Sequence, residues 1–409
     1  MNYYNYFAIV ISLSVLLGYI NNRYIKMQTT VAIMTGSLLI SLLVIWLGEF
    51  HIIEIKPFAI DIVKEFDFEK ILMEWMLGYL LFAGSVQLDI NSLQKQFSSI
   101  ILLATMSTII STFLVGCGSY YLMQFLNINI GFNFCLLFGA LISPTDPIAV
   151  LGVLKNLNVS EGISIKMAGE SLFNDGVGIV IFTVILGMIY TNQPITLSSV
   201  SLLFTVKALG GSLFGAILGL GMFYFIKHVD DSKLMVLITL AGVTAGYALA
   251  EMLNISGPLS MVIAGLFVGN KGKKFSMSQE TCYNLDMFWE IIDEILNAML
   301  FLMMGFEILI IDYSHINLIL IWLIIPLVLV IRYITVIIPI AILRFFKEQP
   351  NNITAILSWG GLRGGLAVAL ALSLPDSEEK NIILAMTYMI VIFSILVQST
   401  TIRFLVKQK

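Results

Sequence analysis

The chain has 409 residues, 58% of them hydrophobic and only 12% charged, with 22 Lys and Arg against 26 Asp and Glu. A soluble chain carries about 25% charged residues, and half that density cannot cover a water-facing surface. With a mean hydropathy of +0.95, disorder, coiled coil and nucleic-acid binding are excluded, which leaves an all-α polytopic membrane protein.

A bilayer-spanning helix needs about 20 apolar residues. In chain order thirteen segments are candidates: 6–20, 31–48, 71–88, 98–126, 132–154, 163–190, 200–227, 234–253, 257–269, 285–311, 316–345, 353–373 and 382–406. The first lacks a basic leader and a small-residue cleavage site, so it reads as a retained helix rather than a signal peptide. The ninth is short and opens on Gly257-Pro258. Nothing between the segments reads as a soluble domain, so 1–409 is expected to be one transmembrane domain. Basic residues set the orientation: alternate connections hold 15 Lys and Arg on one side and 4 on the other, with 3 more inside segments. This asymmetry predicts thirteen crossings, the N-terminus outside and the C-terminus cytoplasmic, in a plasma or inner membrane.

Cys117, Cys135 and Cys282 have neither disulfide-framework nor metal-ligand spacing and read as small buried hydrophobes. His51, His228 and His315 fall near segment ends or in loops.

Two segments are interrupted. The fifth contains Ser143-Pro144-Thr145-Asp146-Pro147. Its prolines remove two backbone donors and push the preceding residues out of helical geometry. The twelfth contains Gly360-Gly361-Leu362-Arg363-Gly364-Gly365, whose glycines weaken a helix by roughly 1 kcal/mol each relative to Ala. Unwound backbone survives inside a membrane only where protein or water covers it. The breaks are seven segments apart, so they occupy corresponding positions in two halves of opposite orientation. Paired interrupted segments of this kind point to an inverted-repeat secondary transporter with its site at the midplane.

Ionisable residues within membrane segments mark functional sites. Asp146, Glu170, Asp175, Arg332 and Arg363 lie well away from segment ends. Lys207, Glu74, Glu290, Asp293, Glu294 and Glu307 lie nearer the ends, where snorkelling or end-of-helix solvation accounts for them. On a helix, Ser171 and Asp175 can point at one spot, and Glu170 shares a face with Asn174. Two carboxylates beside the oxygens of Thr145 and Ser171 suit a hard monovalent cation or a proton, not a thiophilic metal. A carboxyl group withdrawn from water binds its proton more tightly, so a proton and a sodium ion compete for the same oxygens. Competition of that kind suffices for antiport. Asp146 is expected to offset the positive half-helix ends, and Arg363 the exposed carbonyl ends.

Four runs carry a family resemblance: SPTDPIAV (143–150), GESLFNDGVGIVIF (169–182), FWEIIDEILNAMLFLMMGFEI (288–308) and GGLRGGLAVALAL (360–372), with LLFAGSVQLD (80–89) a looser fifth. With them, from about 70 to 406, the chain resembles the monovalent cation:proton antiporters of the NhaP type, prokaryotic relatives of the animal sodium/proton exchangers. The resemblance implies that Asp175 is the ion- and proton-binding aspartate and Asp146 its partner, with Thr145 and Ser171 contributing oxygens. Na+ would sit at Asp146 and Asp175. Asn174 stands where electrogenic relatives carry a second aspartate, which implies exchange of one proton per sodium without net charge movement. Glu170 and Arg332 would form a buried structural salt bridge. Arg363 would compensate charge at the second broken helix without ligating the ion. Ala83 departs from relatives that have an acidic ion ligand there.

The resemblance also implies an NhaA-like inverted repeat with two broken, crossing helices. A dimerising scaffold (about 1–97 and 234–311) and a mobile core (98–190 and 316–406) would be joined by a linker helix (200–227). Core movement would be elevator-like, in a homodimer, with no cofactor, no nucleic-acid partner and no regulatory tail. The main expectation is a Na+(Li+)/H+ antiporter. Its rivals are K+/H+ exchange and a passive cation channel. An intramembrane aspartyl protease is opposed by the lack of a GxGD pattern, and HExxH and GxSxG-plus-His arrangements are absent too.

Overall fold

The computed structural model describes residues 3–49, 60, 67–156, 159–190, 197–229, 231–272, 279–311, 317–346, 349–350 and 352–406. These fold almost entirely as helix, and no strand occurs among them. In chain order they are α1 (Tyr3–Ile20), α2 (Thr29–Glu49), α3 (Leu77–Val86), α4 (Ile90–Phe125), α5 (Phe132–Ile142), α6 (Ile148–Asn156), α7 (Glu161–Tyr190) and α8 (Leu197–Lys227). After them come α9 (Ser232–Met252), α10 (Gly257–Phe267), α11 (Gln279–Phe306), α12 (Leu318–Arg344), α13 (Ile353–Trp359), α14 (Gly365–Leu372) and α15 (Glu378–Val406). A helical lead-in, Phe68–Lys70 and Ile71–Met76, runs directly into α3.

Polar side chains start the helices where hydropathy alone does not. Asp89 Oδ2 accepts from Ser92 N at 2.8 Å, Asn317 Oδ1 from Ile319 N at 2.9 Å and Ser377 Oγ from Lys380 N at 3.1 Å. Each satisfies a backbone donor that the first turn leaves open. This is why α4 begins at Ile90, eight residues before the apolar segment. Its first turns are amphipathic, with Gln94, Lys95 and Gln96 interleaved with Leu93 and Ile100.

Among the described residues eight helices are long and apolar enough to cross a membrane. The 28-residue α11 is not one of them, because Asp286, Glu290, Asp293 and Glu294 load its middle turns. Nor are α5, α6, α13 and α14, which the two interruptions cut short.

Close packing fixes the arrangement around the site. The α4 and α5 backbones approach so closely that a Cβ on Gly139 would meet the Thr112 carbonyl. Helix α8 turns Gly211, Gly215 and Gly219 toward α10, and Ser260 Oγ donates to the Gly211 carbonyl at 2.9 Å. Small residues of this kind let membrane helices pack backbone to backbone. Asn270, just beyond α10, clamps the α3–α4 turn: its Nδ2 donates to Leu88 O at 3.0 Å and its Oδ1 accepts from Ile90 N at 2.7 Å.

Candidate functional site

The two interruptions meet. Helix α5 ends at Ile142 and α6 starts at Ile148; α13 ends at Trp359 and α14 starts at Gly365. The unwound stretches run antiparallel past each other, and Asp146 N donates to Leu362 O at 2.9 Å. The contact satisfies one backbone donor and one acceptor that the breaks release, as burial requires. Gly364 makes the crossing possible: a Cβ there would lie 2.5 Å from Asp146 Cβ and 2.8 Å from its Cγ.

Charged side chains compensate the helix ends. Asp146 Oδ1 accepts from Ile148 N at 2.9 Å, at the positive start of α6. Arg363 Nη1 donates to the carbonyls of Ser143 and Pro144, at 2.7 and 2.9 Å, where α5 stops. Neither carbonyl finds an ordinary helical partner, because Pro147 has no N–H and the helix has ended.

Helix α7 supplies the rest. Thr145 Oγ1 and Ser171 Oγ are 3.0 Å apart. Asn174 holds the same threonine at two points: its Oδ1 accepts from Thr145 N at 3.3 Å and its Nδ2 donates to Thr145 Oγ1 at 2.9 Å. Glu170 turns the other way, to Arg332 on α12, with Oε1 and Nη1 2.7 Å apart and both side chains at most 5% exposed. Arg332 Nη2 also donates to Leu357 O at 3.1 Å. Gly361 leaves room for the guanidinium, since a Cβ there would come within 2.6 Å of Arg332 Nε. One pair thus ties α7, α12 and α13 together behind the crossing.

In front of the crossing lies a cavity of about 620 Å3. Thr145, Asp146, Ser171 and Asp175 line it, within walls made mainly of Leu and Ile. Asp146 and Asp175 are half-buried, whereas Asn174 is fully buried and is not on the wall. No protein hydrogen bond reaches the Asp175 carboxylate among the described residues, so its oxygens are available to whatever fills the cavity. Ala83 is fully buried and off the wall, to which α3 contributes Leu77, Leu80, Leu81 and Gly84, and its C-cap Gln87.

Two end-of-segment readings are corrected. Asp293 lines the cavity together with Asn297 from α11. A solvated end was expected because Asp293 lies among Asp286, Glu290 and Glu294; the signal was the spacing Asp293, Asn297, Leu300, one helix face, all three on the wall. Glu307 is 2% exposed, enclosed where α11 turns into a short 3-10 stretch, so it does not snorkel. Glu74, Glu290 and Glu294 are exposed as read. Cys135 is buried against Met123 and the cysteines form no disulfide. His228 bonds the Tyr224 carbonyl through Nδ1; His51 and His315 lie outside the described residues.

A multi-pass helical membrane protein whose two unwound segments cross beside a carboxylate-lined cavity has the build of a secondary transporter. The profile of the family described as "Sodium/hydrogen exchanger, transmembrane" matches residues 9–408, and the chain belongs to that family. It is 43% identical over 407 residues to the Na(+)/H(+) antiporter NhaP of Pseudomonas aeruginosa, covering 98% of this chain and 96% of that one. It is 36% identical over 347 residues to the Na(+)/H(+) antiporter NhaH of Halobacillus aidingensis, covering 83% of each. The solved structure of the sodium proton antiporter MjNhaP1 from Methanocaldococcus jannaschii at pH 8 superposes with a TM-score of 0.79 at 18% identity, over 99% of this chain and 98% of that one. That likeness shows a shared fold.

Proposed function

We propose that the protein is a secondary active Na+(Li+)/H+ antiporter of the cell membrane, electroneutral, exchanging one proton per cation. The observation that carries the reading is the Asp175 carboxylate, which lines a cavity together with Thr145, Ser171 and Asp146 and has no protein hydrogen-bond partner among the described residues. A carboxylate so placed holds either a proton or a hard cation. Binding of one displaces the other, and the names of the relatives at 43% and 36% identity are those of Na+/H+ antiporters.

Each residue has a role in this scheme. Asp175 exchanges proton for cation. Asp146 supplies the second carboxylate through the oxygen that Ile148 N leaves unused, and Thr145 and Ser171 supply neutral oxygens. Asn174 takes no proton. Its amide fixes Thr145, so only one carboxylate titrates per cycle at these two positions, which gives electroneutrality. Arg363 and the Glu170–Arg332 pair hold the crossing together without touching the ion.

The chain crosses the bilayer thirteen times, with the N-terminus outside and the C-terminus cytoplasmic. A scaffold (about 1–97 and 234–311) forms a homodimer. A core (98–190 and 316–406) carries the filled site across in an elevator-like shift, with 200–227 as linker.

The test is exchange in proteoliposomes with Na+, Li+ and K+ in turn, the membrane potential clamped. Na+ and Li+ should drive saturable proton movement that does not respond to the potential. Equal driving by K+ would favour K+/H+ exchange, and unsaturable cation conductance would favour a channel.

A further inference from the structure

The cavity has a second set of oxygens that the exchange scheme does not use. Asp293 and Asn297 lie four residues apart on α11 and both line it, in the same cavity as Asp146 and Asp175. One turn apart, the two side chains are neighbours on the helix surface, and the Asp146 carboxylate lines the same cavity. Asn297 is 2% exposed, yet its Oδ1 has no hydrogen-bond partner. Buried amide oxygens are normally satisfied. A carboxylate on the wall of a cavity that can hold water, one turn from a buried amide whose oxygen has no other partner, offers a donor set for a hard cation.

The neighbours narrow the choice of ligand. Among the residues that line the cavity there is no Lys or Arg, so no side-chain cation neutralises Asp293 there. The other lining carboxylates are Asp146 and Asp175, which add negative charge. An anion or an acidic group would be repelled. One carboxylate and one amide offer fewer oxygens than a bare cation needs, so a cation held there keeps part of its water shell.

We propose that Asp293 and Asn297 form a second, transient cation station, which takes up a partly hydrated monovalent cation and passes it across the cavity to Asp146 and Asp175. The proposal rests on the antiport reading of the main site and extends it to a residue pair on another helix of the same cavity. Helix α11 falls in the scaffold part of the chain and the crossing in the core part, so the two stations lie on opposite sides of the boundary along which the core would move. A cation shared between them in one state must be released by α11 before the core shifts. The station therefore sets how readily the cation is captured, and Asp175 sets whether it is exchanged.

The experiment is Na+-driven proton exchange by the full chain in proteoliposomes, as a function of Na+ concentration at fixed pH. Asp293→Asn, Asn297→Ala, Asp293→Glu and the exposed neighbours Glu290→Gln and Glu294→Gln are compared with the unmodified chain. Asp293→Asn should raise KM for Na+ roughly tenfold, about 1.4 kcal/mol, with kcat within about twofold. Asn297→Ala should raise it by a smaller factor, Asp293→Glu should restore most of the affinity, and the two neighbours should leave KM alone. Unchanged KM in both Asp293→Asn and Asn297→Ala overturns the proposal. So does a fall in kcat at constant KM, which marks a purely structural role. If Asp293→Asn does not fold, Asn297→Ala decides by the same criterion. No exchange in the unmodified chain would instead refute the antiport reading itself.

Discussion

Removing one partner of the Glu170–Arg332 pair gives a prediction whose size follows from the geometry. The two groups are 2.7 Å apart and at most 5% exposed. Arg332→Met leaves the Glu170 carboxylate buried without its ion-pair partner, and the Leu357 carbonyl loses its donor. Breaking a buried pair from one side costs about 3–5 kcal/mol, whereas an exposed pair is worth about 0–1. With an unfolding entropy of about 2.1 cal/mol/K per residue, a chain of 409 residues loses about 1 °C in Tm per kcal/mol. Arg332→Met should therefore lower Tm by about 3–5 °C in intrinsic-fluorescence melts of the detergent-solubilised protein. Glu170→Gln should cost less, because Arg332 keeps the Leu357 carbonyl. The double variant should recover most of the loss, since a pair replaced by neutral groups of similar volume is often close to neutral. A drop under about 1 °C in both single variants, or a double variant as unstable as the sum of the singles, would refute the reasoning.

Two further outcomes follow. Asn174→Asp puts a titratable group where the amide now holds Thr145 N and Oγ1; exchange by that variant should become sensitive to a clamped membrane potential, measured in proteoliposomes, and strict electroneutrality would mean that stoichiometry has another cause. Hydrogen bonding to Ser92 N holds the exposed Asp89 carboxyl, outside the membrane segments, below its ordinary value. Because the folded-state pKa is the lower one, its capping contribution is fully present above about pH 4 and fades as the pH falls further. Asp89→Asn should flatten the acid side of a Tm-against-pH curve without changing the neutral plateau by more than about 1 kcal/mol in equivalent stability.

Much of the site was legible in the sequence because proline and glycine act locally. Pro144, Pro147 and the glycines from Gly360 to Gly365 fix where the helices stop, whatever packs around them. Asp146 and Arg363 inside those breaks were readable as end compensation for the same reason. The meeting of the breaks was less legible from the residues. The hydrogen bond from Asp146 N to Leu362 O joins backbone groups distant in the chain, and no side-chain pattern encodes it. Asn174 stood out through the resemblance, at the place of a second aspartate, and not through its own spacing. Its amide is taken up by Thr145, a partner in another element that spacing does not reveal. Asp293 was hidden by its acidic neighbours: charge density along α11 reads as a solvated face, yet Asp293 and Asn297 line the cavity while Glu290 and Glu294 beside them are exposed. The start of α4 was misplaced because the signal there is a capping aspartate and an amphipathic turn, not apolar length.

The central claim is that the Asp175 carboxylate is the group that exchanges a proton for a cation. Its most direct test is Na+-driven proton movement in proteoliposomes containing Asp175→Asn, a change that keeps the shape of the side chain and removes its charge. Exchange should fall to the level of protein-free vesicles while the melting profile of the variant stays close to that of the unmodified chain. Exchange at the unmodified rate in a folded Asp175→Asn protein would contradict the account.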